Sequence, residues 1–122
     1  MRTPNLRLFT GMLMLAAILM IWTQAIQSAV LPVEQAIEAD ARDVSLPRQQ
    51  QGILRVRVCS NCKPQSLHVT ETTRYETAAS MSMSLEQFVA RLREIPADDS
   101  MLVIFYLPDS RLVTRVRLSV RP

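Results

Sequence analysis

Cys59 and Cys62 are the only cysteines of the chain, spaced Cys-x-x-Cys with Ser60 and Asn61 between them and Lys63 directly after. Three kinds of chemistry use such a pair. In an oxidising compartment the first expectation is a structural disulfide. A thiol-redox pair is the second. It normally sits where a strand meets a helix, so that the helix N-terminus stabilises a thiolate. Here Pro64 follows, and Ser66–Thr70 reads as strand, so only Lys63, Ser60 and Asn61 are at hand to tune a sulfur. Metal binding is the third. A closed zinc site needs four ligands; Cys59 and Cys62 supply two and the single His68 a third, with zinc or copper the metals to consider. The disulfide, with no cofactor, is the leading expectation, although His68 otherwise falls on the polar side of its strand.

Arg55, Arg57, Arg115 and Arg117 form the second set. Each pair is spaced i, i+2 within an alternating stretch, so both members point to the outward face of a strand. If the two strands neighbour each other, four guanidiniums share one open face. That face would suit an envelope protein or an anionic surface. A nucleic-acid partner is not expected. The first thirty residues hold Arg2 and Arg7, and the remainder carries twelve basic and eleven acidic side chains, a net of +1. Bulk charge of that size gives no basic footprint.

Catalytic signatures are missing from the sequence. There is no Gly-x-Ser-x-Gly, no His-Glu-x-x-His and no phosphate-cradling glycine loop. Asp98-Asp99 falls in a polar loop, and Met81-x-Met83 fits flexible apolar contact better than soft-metal binding.

These residues must be exported for the disulfide reading to hold, and the N-terminus supplies the means. Arg2 and Arg7 precede an eleven-residue apolar run, Met12 to Trp22, and small-residue exits follow at Thr23-Gln24-Ala25 and Gln27-Ser28-Ala29. Basic start, short apolar core and small-residue exit describe a secretory signal over residues 1–29. The alternative is an uncleaved helix that anchors the chain in the inner membrane with the domain outside the cytoplasm. A spanning helix wants about twenty apolar residues, and Leu8 to Ile26 reaches that length only with Thr10, Gly11, Thr23 and Gln24 inside it. Localisation is therefore expected to be periplasmic or secreted.

The remaining elements follow from periodicity. Residues 30–51 read as an acidic, Gln-rich linker, with a thin apolar stripe (Val33, Ile37, Val44) that suits a partial helix or no order. Residues 52–122 form the domain. Leu54, Val56 and Val58 alternate with Arg55 and Arg57, a half-buried strand. Leu67 and Val69 mark a second strand, which Thr72–Glu76 extends after a bend. Ser84 and Gln87 have capping-box spacing and open a helix over 84–95, with Leu85, Phe88, Val89, Leu92 and Ile95 on one face and Pro96 as its stop. Met101–Leu107 is a continuous apolar strand. Leu112, Thr114, Val116, Leu118 and Val120 share one face of the last strand, Arg115 and Arg117 the other.

The fold class is α+β, in the order β-β-α-β-β, with one helix packed on a small antiparallel sheet. A small open barrel of the oligonucleotide-binding (OB) kind is the alternative. Two glycines in 122 residues leave few places for a barrel's sharp bends, which favours the layered arrangement. The functional expectation is an exported, non-enzymatic accessory or binding domain of the cell envelope. It would use a Cys59–Cys62 disulfide and an arginine-bearing sheet face. A thiol-redox or metal-handling periplasmic protein is the alternative.

Overall fold

A computed structural model describes residues 31–122. The signal or anchor read from residues 1–29 lies outside the described residues. No helix among the described residues is long and apolar enough to cross a membrane. Residues Pro32–Pro122 make one compact unit.

Its elements are β1 (Gln35–Asp40), a 3-10 turn (Ala41–Asp43), β2 (Val44–Ser45), β3 (Gly52–Val56), β4 (Gln65–Val69), β5 (Arg74–Thr77), β6 (Ser82–Met83), α1 (Leu85–Glu94), β7 (Ser100–Leu107) and β8 (Leu112–Val120). All strands belong to one sheet, in the order β1-β7-β8-β4-β3-β2, with β5 also beside β8 and β6 beside β5. The sheet is mixed, not antiparallel as the sequence suggested. β8 runs parallel to β4 at His68–Leu112 and to β5 from Arg74–Arg115 to Thr77–Leu118. The parallel pairing arises because α1 crosses over between β5 and β7, returning the chain to the far side of β8.

The lead-in differs most from its expectation. Residues 35–40 are not a partial helix or an unordered linker but an edge strand, antiparallel to β7 along its whole length. Ile37, Ala39 and Ala41 alternate with Glu38, Asp40 and Arg42, a period-2 pattern muted by the small alanines. Ala39 is buried, and Ile37 and Ala41 pack against the core.

The chain then makes β2 at the opposite end of the pairing order after only three residues. A flat six-strand sheet would separate its edges by about 24 Å. Four residue steps reach at most about 14 Å, so the sheet must curl until its two ends approach each other. No ladder joins β1 to β2, and the sheet stays open.

The curl is achieved without interior glycines. β4 and β5 are one strand broken at Thr70–Thr73. Thr73 Oγ1 donates to Val113 O at 2.8 Å and accepts from Thr70 N–H at 3.1 Å, which pins the break to β8. A bulge interrupts the β7–β8 ladder: Phe105 pairs with Arg115 and Tyr106 with Val113, leaving Thr114 as the extra residue. Thr114 Oγ1 lies 3.2 Å from Phe105 O. Bulges bend a strand and shift its alternation. Val113, Val116 and Leu118 are therefore the buried residues of β8, and Thr114, expected to share their face, is not.

The core runs through Leu54, Val56, Leu67, Val69, Leu102, Ile104 and the buried β8 residues. α1 closes it with Phe88, which is fully buried and lies 5.2 Å from the Tyr75 ring, centroid to centroid. Gln87 N–H donates to Ser84 Oγ at 3.2 Å and Ser84 N–H to Gln87 Oε1 at 3.1 Å, the reciprocal capping box. Together these leave a small, sheet-rich domain with one helix.

Candidate functional site

The connection between β3 and β4 carries the cysteines. Cys59 and Cys62 are joined as a disulfide with their Cα atoms 5.0 Å apart, and Cys62 N–H donates to Cys59 O at 3.1 Å. The bond thus closes a single turn at the tip of a hairpin. Every residue from Arg57 to Ser66 is exposed, both cysteines included. No helix follows Cys62; β4 begins at Gln65. The helix dipole that favours a thiolate in thioredoxin-type pairs is therefore not supplied here.

His68 is exposed on β4, opposite Ile53, and its backbone N–H donates to Arg111 O at 2.8 Å. Among the described residues, no group of three or more His, Cys, Asp and Glu side chains is placed to hold one metal. A disulfide-bonded pair offers no thiolate to zinc or copper.

The four arginines fall into two separate pairs. Arg55 stands opposite Ser66 on β4, on the stretch before His68 pairs with Leu112. Arg115 and Arg117 lie farther along β8, opposite Arg74 and Glu76 of β5. Strand β4 separates β3 from β8.

Arg115 and Arg117 are engaged by carboxylates. Arg117 donates through Nε and Nη2 to Glu76 Oε1, at 2.9 and 2.7 Å. Arg115 reaches Glu76 at 3.6 Å and Glu34 at 3.4 Å. Its guanidinium carbon sits 3.9 Å from the centre of the Phe105 ring, a cation–π arrangement. Glu34 also accepts from Thr114 Oγ1. The charge of this pair is spent inside the fold, on the buried Glu76 and on the lead-in.

Arg55 and Arg57 have no carboxylate within salt-bridge distance among the described residues. They line an open, polar cleft of about 310 Å³ with Arg42, Asp43, Val44, Ser45 and Pro64. The 3-10 turn and β2 form its second wall, held to β3 by the Arg57 N–H bond to Asp43 O at 3.0 Å. Arg42 is itself steadied by Asp98 at 3.1 Å and Asp40 at 3.6 Å.

A larger cleft of about 560 Å³ opens between the 44–48 segment and α1. Its apolar lining includes Val44, Leu46, Leu85, Val89 and Leu92, with Arg48, Arg93 and Glu86 also on it. Pro47 forms part of the wall and presses on β3: a Cβ added at Gly52 would come within 2.8 Å of Pro47 Cβ. Sequence reasoning missed Arg42, Ser45 and the walls from 44–48, since all fall in the stretch read as a linker. The muted alternation of residues 37–42 was the signal for them.

No family model, curated protein or solved structure matches this chain.

Proposed function

We propose that the chain is an exported, non-enzymatic binding domain of the cell envelope, whose arginine-bearing β3 face receives an anionic partner. One observation carries the reading. Arg55 and Arg57 are exposed and without a carboxylate partner among the described residues, whereas Arg115 and Arg117 are not free. Unpaired guanidiniums on a paired strand and just beyond its end are suited to carboxylate or phosphate recognition. The disulfide pins the tip beside them. The basic, apolar and small-residue order of residues 1–29 supports a periplasmic or secreted location, or attachment through that segment to the outer face of the inner membrane.

The pairing order also favours the OB-like open barrel over the layered sandwich. Taking 35–45 and 65–77 each as one bent strand gives five strands, with the helix between the third and fourth and the third parallel to the fifth. In OB folds the face of strands two and three binds ligands. Here that face is β3 and β4, with Arg55 on β3 and Arg57 just beyond its end. Fold alone assigns no function, so the weight rests on the free arginines.

The test is retention on a polyanionic resin. The R55E/R57E double variant should elute at markedly lower salt than the parent, while R91A, which removes a surface ion-pair partner on α1, elutes with the parent. Equal retention of R55E/R57E and parent would overturn the reading.

The exposure of Cys59 and Cys62 favours a second reading, a thiol-redox protein. It requires a reduction potential within the range of exchange catalysts, roughly −120 to −270 mV; structural disulfides lie below about −300 mV. Equilibration with glutathione or dithiothreitol, read as free thiol by mass, separates the two.

A further inference from the structure

We infer that the free edge of β2 receives an extended segment of a partner protein in which apolar and acidic residues alternate. The inference rests on the binding-domain reading above and specifies its partner.

β2 has β3 on one side and no strand on the other among the described residues, with the Val44 N–H already donated to Ala41 O. An open edge accepts a further strand through backbone hydrogen bonds. What distinguishes this edge is the pair of clefts on either side of it. Val44 lines both. On the helix side lies the cleft floored by Leu46, Leu85, Val89 and Leu92. On the side of Ser45 and Arg55 lies the polar cleft with its three arginines.

A strand presents successive side chains to opposite faces. A segment laid along Val44–Arg48 would therefore direct one set of alternate residues at an apolar floor and the other at guanidiniums. The charge balance selects the sign of the second set. The two clefts together present five arginines against Asp43 and Glu86. Of these arginines only Arg42 is offset further, by Asp98 and by Asp40, which Arg121 shares. Both clefts still carry more positive than negative side chains, so acidic residues complement the polar set and basic ones are repelled. The two-residue length of β2 makes the backbone contribution small, which leaves the clefts to confer affinity and selectivity.

The experiment titrates the purified full chain with acetyl-(Val-Glu)4-amide, acetyl-(Val-Lys)4-amide and acetyl-(Glu)8-amide, followed by amide chemical shifts and fluorescence anisotropy. The alternating acidic probe should bind at least tenfold more tightly than either other peptide and shift the amides of Val44, Ser45, Leu46 and Arg48 and of α1. R55E/R57E and R48E/R93E should each weaken it at least tenfold. V89K should do the same, with a thermal melt showing that the variant folds. Since Arg48 and Arg93 are exposed, R48E/R93E still discriminates if V89K does not fold. Equal binding of the (Glu)8 probe, unaffected by V89K and R48E/R93E, would overturn this inference and leave the anionic-partner reading intact. Failure of both acidic peptides, together with loss of the R55E/R57E effect on the resin, would overturn both.

Discussion

Arg117 grips Glu76 with two nitrogens on a single carboxylate oxygen, and the Glu76 side chain is only 8% exposed. Arg115 approaches the same oxygen from the next outward position of β8. A carboxylate in this position balances two guanidiniums that are themselves partly covered. Glu76→Ala should therefore cost about 2 kcal/mol, more than an exposed pair and less than a fully dry one. Arg117→Ala should cost less, since Arg115 still faces the carboxylate. Urea unfolding of the two single variants and the double variant checks this, and a coupling near zero between the residues would contradict it.

Tyr75 predicts an alkaline limit to stability. Its hydroxyl is buried with no hydrogen-bond partner, and burial pushes its pKa from 10.0 up to about 12. The folded state thus keeps the phenol protonated where the unfolded state has lost its proton. The stabilisation is fully present below pH 10 and is lost as pH rises from 10 to 12. Tyr75→Phe removes both the unsatisfied hydroxyl and the titration. It should match or exceed the parent at pH 7, by up to about 1 kcal/mol, and show a smaller loss between pH 9 and 11 in denaturant melts.

Reduction of the disulfide should be mild. Its loop holds two intervening residues, and chain-entropy arguments put such a closure at or below about 2 kcal/mol. Its cysteines lie at an exposed tip outside the core. Cys59→Ser/Cys62→Ser should fold, with a Tm only a few degrees lower. Collapse of the sheet, seen as lost amide dispersion, would show that the tip is needed for the fold.

Ser84 tests the helix. Ser84→Ala removes one half of the reciprocal cap and should cost about 1 kcal/mol, while Ser84→Asp should retain most of the stability. Thermal melts of the two variants give the comparison.

Strong periodicity made parts of this fold legible in the sequence. Phe88 and its neighbours fixed the helix, and Leu54–Val56 and Leu102–Ile104 fixed two strands, because large apolar side chains recur there at helical or strand spacing. β1 was hidden because alanine contributes little to hydrophobic patterning, so its alternation looked like an acidic linker. Simple alternation places Thr114 on the wrong face because a bulge adds a residue without marking itself in composition. The separation of the arginine pairs was hidden for a different reason. Alternation tells which way a side chain points, but not which strand lies beside it, and β4 comes between. The role of Glu76 depended on the parallel pairing of β5 with β8, which no local signal announces.

The pairing of β1 with β7 also bears on the order in which the molecule is built. β3–β4 and β7–β8 are hairpins that close between sequence neighbours, whereas Gln35 meets Tyr106 across 71 residues. Contacts of such separation form slowly, because the chain between them must be ordered first. The first strand of the domain is thus the last to find its place, and it waits for nearly the last strand to be synthesised. Until β7 has been made, β1 has no partner and the domain lacks that edge.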